Sequence, residues 1–80
     1  MHILTKVKIV NTKSQAIPLG VPFKGKLLYL PALGESIMIQ NDSGITRHTS
    51  MVTHIEENEN LKCMVIETLY SVYTLEHIPD

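Results

Sequence analysis

ITRHTSMVTHIEENENLKCMVIETLYSVYTLEHI, residues 45–78, is the stretch that decides the fold. It is dense in Thr, Val, Ile and Tyr, the residue types that fit a pleated, half-buried surface. Apolar residues do not recur at i, i+3, i+4 and i+7, so an amphipathic helix is excluded. Asn58-Glu59-Asn60 interrupts the run as a tight connection. It therefore reads as three strands, over residues 45–57, 61–68 and 69–78.

Working outward, Asn41-Asp42-Ser43-Gly44 is a strong turn signal just before this stretch. Upstream of it, residues 36–40 form a strand with Ile37 and Ile39 on one side, opened by Gly34. Residues 26–30 form another, closed by Pro31, which cannot donate to a ladder. At the start of the chain, residues 3–10 alternate Val7 and Ile9 against Lys6 and Lys8, which predicts a half-buried strand with the valine and isoleucine inward. Residues 11–20, broken by Pro18 and Gly20, read as a loop with at most a short helical turn between Ser14 and Leu19. Five or six short strands separated by turns predict an all-β chain, a small five- to six-stranded SH3-like or OB-like barrel.

Eighty residues leave room for a single domain, residues 1–80. A chain this short buries only about 60–65% of its unfolded surface, so self-association into a homo-oligomer is expected to supplement its stability. No tryptophan is present and the aromatics are Phe23, Tyr29, Tyr70 and Tyr73, which makes the core aliphatic. The lone Cys63 cannot form an internal disulfide, and no signal peptide or membrane span is visible, so a cytoplasmic, reducing setting is expected.

The net charge of −1 hides an asymmetry: Lys6, Lys8, Lys13, Lys24 and Lys26 precede every acidic residue. Lys6, Lys8, Lys24 and Lys26 read either as a solubilising face or as electrostatic support for an anionic ligand. Two polar groups are the candidate binding residues. Arg47, the only arginine, is followed by His48, Thr49 and Ser50; a guanidinium beside hydroxyls suits a phosphate or carboxylate, whereas the alternative is a strand end whose hydroxyls bond backbone. Thr68, Ser71 and Tyr73 form the second group: a ring beside hydroxyls suits a stacked base, whereas the alternative is Tyr73 packed across the barrel and Ser71 capping a bend.

Catalysis is not expected. No Gly-x-Ser-x-Gly elbow or phosphate loop is present, no acid is placed to orient His48 beside Ser50, and Cys63 sits among aliphatics. No metal or cofactor is expected either, because the Cys and His spacing matches no zinc pattern and His2 and His77 lie at opposite ends of the chain. Nucleic acid is disfavoured as a partner, since the lysines and tyrosines are segregated and the net charge is negative.

From Gly25 onward the chain resembles a family of short proteins from bacteria and their phages. The shared outline is Leu30-Pro31, Leu33-Gly34, Thr49-Ser50-x-Val52 and Thr68-x-x-Ser71-x-Tyr73-x-Leu75, spanning residues 25–78. Met51 stands where many of those proteins have proline, and Tyr70 where they often have asparagine. The resemblance implies a compact β-barrel of phage or mobile-element type and little about activity; phage proteins of this size often look like inhibitors of host defences, so a non-enzymatic binding protein of that kind is expected. Such a protein would sequester a small anionic nucleotide ligand or dock on a host protein.

Overall fold

Six antiparallel strands, β1 (His2–Ile9), β2 (Phe23–Leu27), β3 (Ser36–Gln40), β4 (Thr46–Asn58), β5 (Cys63–Thr68) and β6 (Ser71–His77), close into a barrel in a computed structural model of the chain. The structure describes residues 1–11, 17–58 and 63–79. The described residues contain no helix. Neighbouring strands follow chain order all the way round, and β6 returns to pair with β1. The all-β barrel expected from the sequence is thus the observed fold, with six strands. Of the tight connection read at Asn58-Glu59-Asn60, residues 59 and 60 lie outside the described residues, as do residues 14–16 of the helical turn read between Ser14 and Leu19; Ile17, Pro18 and Leu19 are described and are not helical.

The interior is filled by Leu4, Ile37, Ile39, Val52, Ile66, Tyr73 and Leu75, with Ile17 entering from the β1–β2 connection. Each of the strand residues faces inward because period-two side-chain alternation puts one apolar set on the concave side. Irregularities in the ladders let a short sheet curl shut. One lies between Ser36 and Met38 opposite β4, and another between Val52 and His54 opposite β5. Such bulges bend a strand and change which residues face the core. In β4 the inward positions are accordingly Thr49 and Val52, three apart. That bend allows one long strand to serve two partners: residues up to Met51 pair with β3, and residues from Val52 onward pair with β5.

β2 makes the same switch in five residues. Phe23 to Gly25 pair with β1, and Lys26 and Leu27 with β3. Gly25 sits at the crossing, where an added Cβ would stand 2.3 Å from the Gln40 carbonyl oxygen. Only glycine permits that approach. The sequence predicts this strand at residues 26–30; in the structure it begins at Phe23 and ends at Leu27. Tyr29 instead lies in the connection to β3, where its hydroxyl donates to the Ser36 carbonyl. The turn read at residues 41–44 is observed: the Asn41 side chain accepts from the Ser43 and Ile45 amides, and Gly44 adopts φ 82°.

β1 reverses the expected facing. Lys6 is 1% exposed, whereas Val7 and Ile9 are 49% and 43% exposed. The phase is set by Leu4, which is fully buried opposite Leu75 and Phe23, so Lys6 two residues on must also point inward. A register shift between Lys6 and Lys8 then turns Lys8 outward. The buried ammonium stands 5.8 Å from the centroid of the Tyr73 ring, a cation–π distance. The Lys6 carbonyl accepts from the Gly20 amide at 2.8 Å, which holds the Ile17–Gly20 segment along this part of β1. Lys6 is therefore an interior residue and not part of a surface lysine face, while Lys8, Lys24 and Lys26 are exposed.

Burial pushes the Lys6 ammonium below the ordinary lysine pKa. The unfolded chain then holds the proton more strongly than the native one, so native stability rises as pH climbs toward the unfolded value. Lys6→Met, which keeps the stem and removes the charge, is expected to stabilise the barrel by about 1 kcal/mol at pH 7, a Tm gain of roughly 4–8 °C. Urea unfolding at pH 7 and pH 10 checks this, since the advantage should shrink at the higher pH. A Lys6→Met variant less stable at pH 7 would contradict the reading.

Candidate functional site

The hydroxyl-bearing residues singled out in the sequence do come together, but their bonding is internal. Thr68, the last residue of β5, donates to the Ser71 carbonyl at 2.9 Å and accepts from the Ser71 amide at 3.1 Å. Its oxygen also accepts from the Ser50 hydroxyl at 2.8 Å. A threonine hydroxyl has one hydrogen and two lone pairs, so the Thr68 group is fully used. Ser50 in turn accepts from the Tyr70 amide at 3.2 Å. Thr49, buried on β4, accepts from the Ile37 amide at 3.0 Å and donates to the Ser50 carbonyl at 2.7 Å.

These bonds explain how Leu69 and Tyr70 turn the chain between β5 and β6 without glycine. The Leu69 amide donates to Met51, the Tyr70 amide to Ser50, and the Tyr70 carbonyl accepts from both Val10 and Asn11. The turn is thereby tied to β4 on one side and to the end of β1 on the other.

The remaining members of the two groups are also occupied by packing. Tyr73 is 2% exposed, with its ring in the core beneath Lys6. Ser71 is fully buried. Arg47 is half-buried across from Ile39, its guanidinium carbon 5.8 Å from the centroid of the Phe23 ring. Arg47 and the Ser50–Thr68–Ser71 cluster thus engage different parts of the barrel, and the geometry favours the structural alternative for the hydroxyls.

A separate feature has the shape of a binding site. A hollow of about 240 Å³ opens at the barrel end where β1 and β5 begin and β2, β4 and β6 finish. Leu27, Met64 and Leu75 supply its apolar wall, and Leu30 and Pro31 reach it from the β2–β3 connection. Polar groups stand on two sides: His2 and His77 on adjacent strands, and Glu57 and Asn58 on β4, which lies across the ring of strands from β1. Cys63, half-buried, completes the β5 side.

His2 and His77 are direct cross-strand partners with ring centroids 5.0 Å apart and planes inclined at 58°. The sequence reading gave no reason for the two termini to meet. Barrel closure supplies it, because the register that sets Leu4 opposite Leu75 also sets His2 opposite His77. Desolvation, and then the neighbouring His77, push the His2 imidazole below its ordinary pKa. At neutral pH the pair is therefore biased toward an uncharged His2.

Thr68→Val keeps shape and removes the hydroxyl, leaving the buried Ser71 amide without that acceptor. A loss of about 1–3 kcal/mol is expected, read as a lowered urea midpoint. Arg47→Ala, which loses a long hydrogen bond to the Thr46 carbonyl and a cation–π contact with Phe23, should cost less than about 1 kcal/mol. Equal costs for the two would contradict the structural role assigned to Thr68. No family model matches the chain, and neither a curated protein nor a solved structure matches it.

Proposed function

We propose that this barrel is a non-enzymatic binding protein that holds one small organic molecule in the hollow at its end. The observation that carries the proposal is the hollow itself: an apolar wall of Leu27, Met64 and Leu75 with a few polar groups at the rim. That composition is the general form of a small-molecule site, in which apolar surface supplies affinity and sparse polar groups fix orientation. Sequestration, the mode implied by the phage-type resemblance of residues 25–78, needs no more than this.

Size narrows the ligand. A volume of about 240 Å³ equals the liquid share of about eight water molecules. At protein-like packing density it accommodates a body of about a dozen heavy atoms. A nucleobase is within that limit, but a whole nucleotide would have to leave its sugar and phosphate outside. The best-placed stacking ring for a base, Tyr73, is already covered in the core. The small anionic ligand expected from the sequence is therefore better supported at the end hollow than at Arg47, Thr49, Ser50, Thr68, Ser71 and Tyr73.

A thermal-shift screen of fragment-sized acids, amides and amines, with free nucleotides included, tests the proposal. At about ten times Kd a bound fragment adds about 1.4 kcal/mol, or several degrees of Tm for a domain this small. Cys63→Trp, which fills the hollow from its wall, should abolish that shift. Leu30→Asp, at a mouth residue that is 82% exposed, should weaken it without affecting the fold. A shift that survives both changes, or one given only by nucleotides and lost in Arg47→Ala, would overturn the assignment.

A further inference from the structure

The two polar sides of the hollow differ in kind, and the difference selects a ligand. On the β1–β6 side stand two imidazoles that share one opening. On the β4 side stands a single carboxylate, Glu57, next to the Asn58 amide. In a ring of six sequential strands β4 is three strands from β1 and two from β6, so the two imidazoles and the acid line different sectors of the same opening. Between them lies the apolar wall.

We propose that the ligand of the hollow is a small monoanion, an apolar body carrying one carboxylate, with that carboxylate held at His2 and His77. This rests on the binding role assigned to the hollow and names the chemistry it would select. Two imidazolium rings at 5.0 Å repel each other, so His2 resists protonation beside His77. A carboxylate at the pair removes that repulsion and turns ring N–H groups into charge-assisted donors. Binding the anion therefore draws a proton onto His2. A second carboxylate on the ligand would meet Glu57 and be rejected by like charge.

The N-terminal ammonium of Met1 also acts on His2 as a positive charge, and the other charged groups around the pair are few. Gly25, opposite His2 on β2, has no side chain, and Lys24 and Lys26 on either side of it are exposed. Glu76 precedes His77 on β6 and is exposed, paired in register with Ile3 and Cys63. On β5 the nearest titratable group in the lining is Cys63, and on β4 it is Glu57. Among the described residues no group of three or more His, Cys, Asp or Glu side chains is placed to hold a metal ion.

The experiment is a pair of titrations of the whole chain followed by two-dimensional NMR at pH 7.5, 6.5 and 5.5. The probes are 3-phenylpropionate and its near-isosteric neutral amide. The acid should bind about tenfold or more tightly at pH 5.5 than at 7.5, the gain allowed by uptake of one proton. The amide should bind with an affinity independent of pH. In the variant carrying both His2→Gln and His77→Gln the acid should lose its pH dependence while the amide still binds, and phenylsuccinate should bind more weakly than the monoacid to the wild-type chain. Acid and amide binding with equal, pH-flat affinity would overturn the anion assignment and leave the hollow as a binding site. Failure of both probes at every pH would overturn the binding role as well.

Discussion

The turn by which β6 comes back to close the barrel is organised by one hydroxyl, that of Thr68. β6 must reverse direction after β5 within two residues, neither of which is glycine, and then reach β1. Thr68 caps the Ser71 amide and carbonyl, and Ser50 fastens that cap to the bend of β4. The Tyr70 carbonyl takes both Val10 and Asn11, which brings the end of β1 to the same point. Once that corner is fixed, the β1–β6 ladder runs from Ile9 opposite Ser71 to His2 opposite His77. The corner fixes the Ile9–Ser71 end of the ladder, and the register shift between Lys6 and Lys8 then brings His2 opposite His77 at the other end. Polar side chains in a small core cost stability unless fully bonded, and here the bonding itself does the folding work.

The strands were legible in the sequence because β-branched alternation and turn chemistry are local signals. Ser36–Gln40 is read with its observed bounds, and the Asn41–Gly44 turn with its observed mechanism. The failures are tertiary. Val7 and Ile9 look like the buried members of β1, but Leu4 has the stronger claim on the core through Leu75 and Phe23, and Lys6 follows it inward. Gly25 looks like a breaker before a strand, whereas it lies inside one, at a crossing that only a residue without Cβ can make. Neither the bulge after Lys6 nor that crossing leaves a mark in composition or period.

The candidate site shows the same division. Ser50, Thr68 and Ser71, read in two separate groups, do cluster, while Thr49 bonds the Ile37 amide; whether such hydroxyls serve a ligand or the backbone depends on where amides and carbonyls end up. The hollow could not be read, because its lining comes from five strands and a connection, and its two histidines stand 75 positions apart in the chain. An antiparallel closure of first strand on last, anchored at Leu4 and Leu75, is the one inference that would have brought them together.

The central claim, that ligand chemistry belongs to the open end and the hydroxyl corner belongs to the fold, is tested most directly by intermolecular NOEs from 3-phenylpropionate bound to methyl-labelled protein. The account predicts contacts from the phenyl ring to the methyls of Leu27, Met64 and Leu75, and none to those of Thr49 or Thr68. Contacts confined to Thr49 and Thr68 would contradict it.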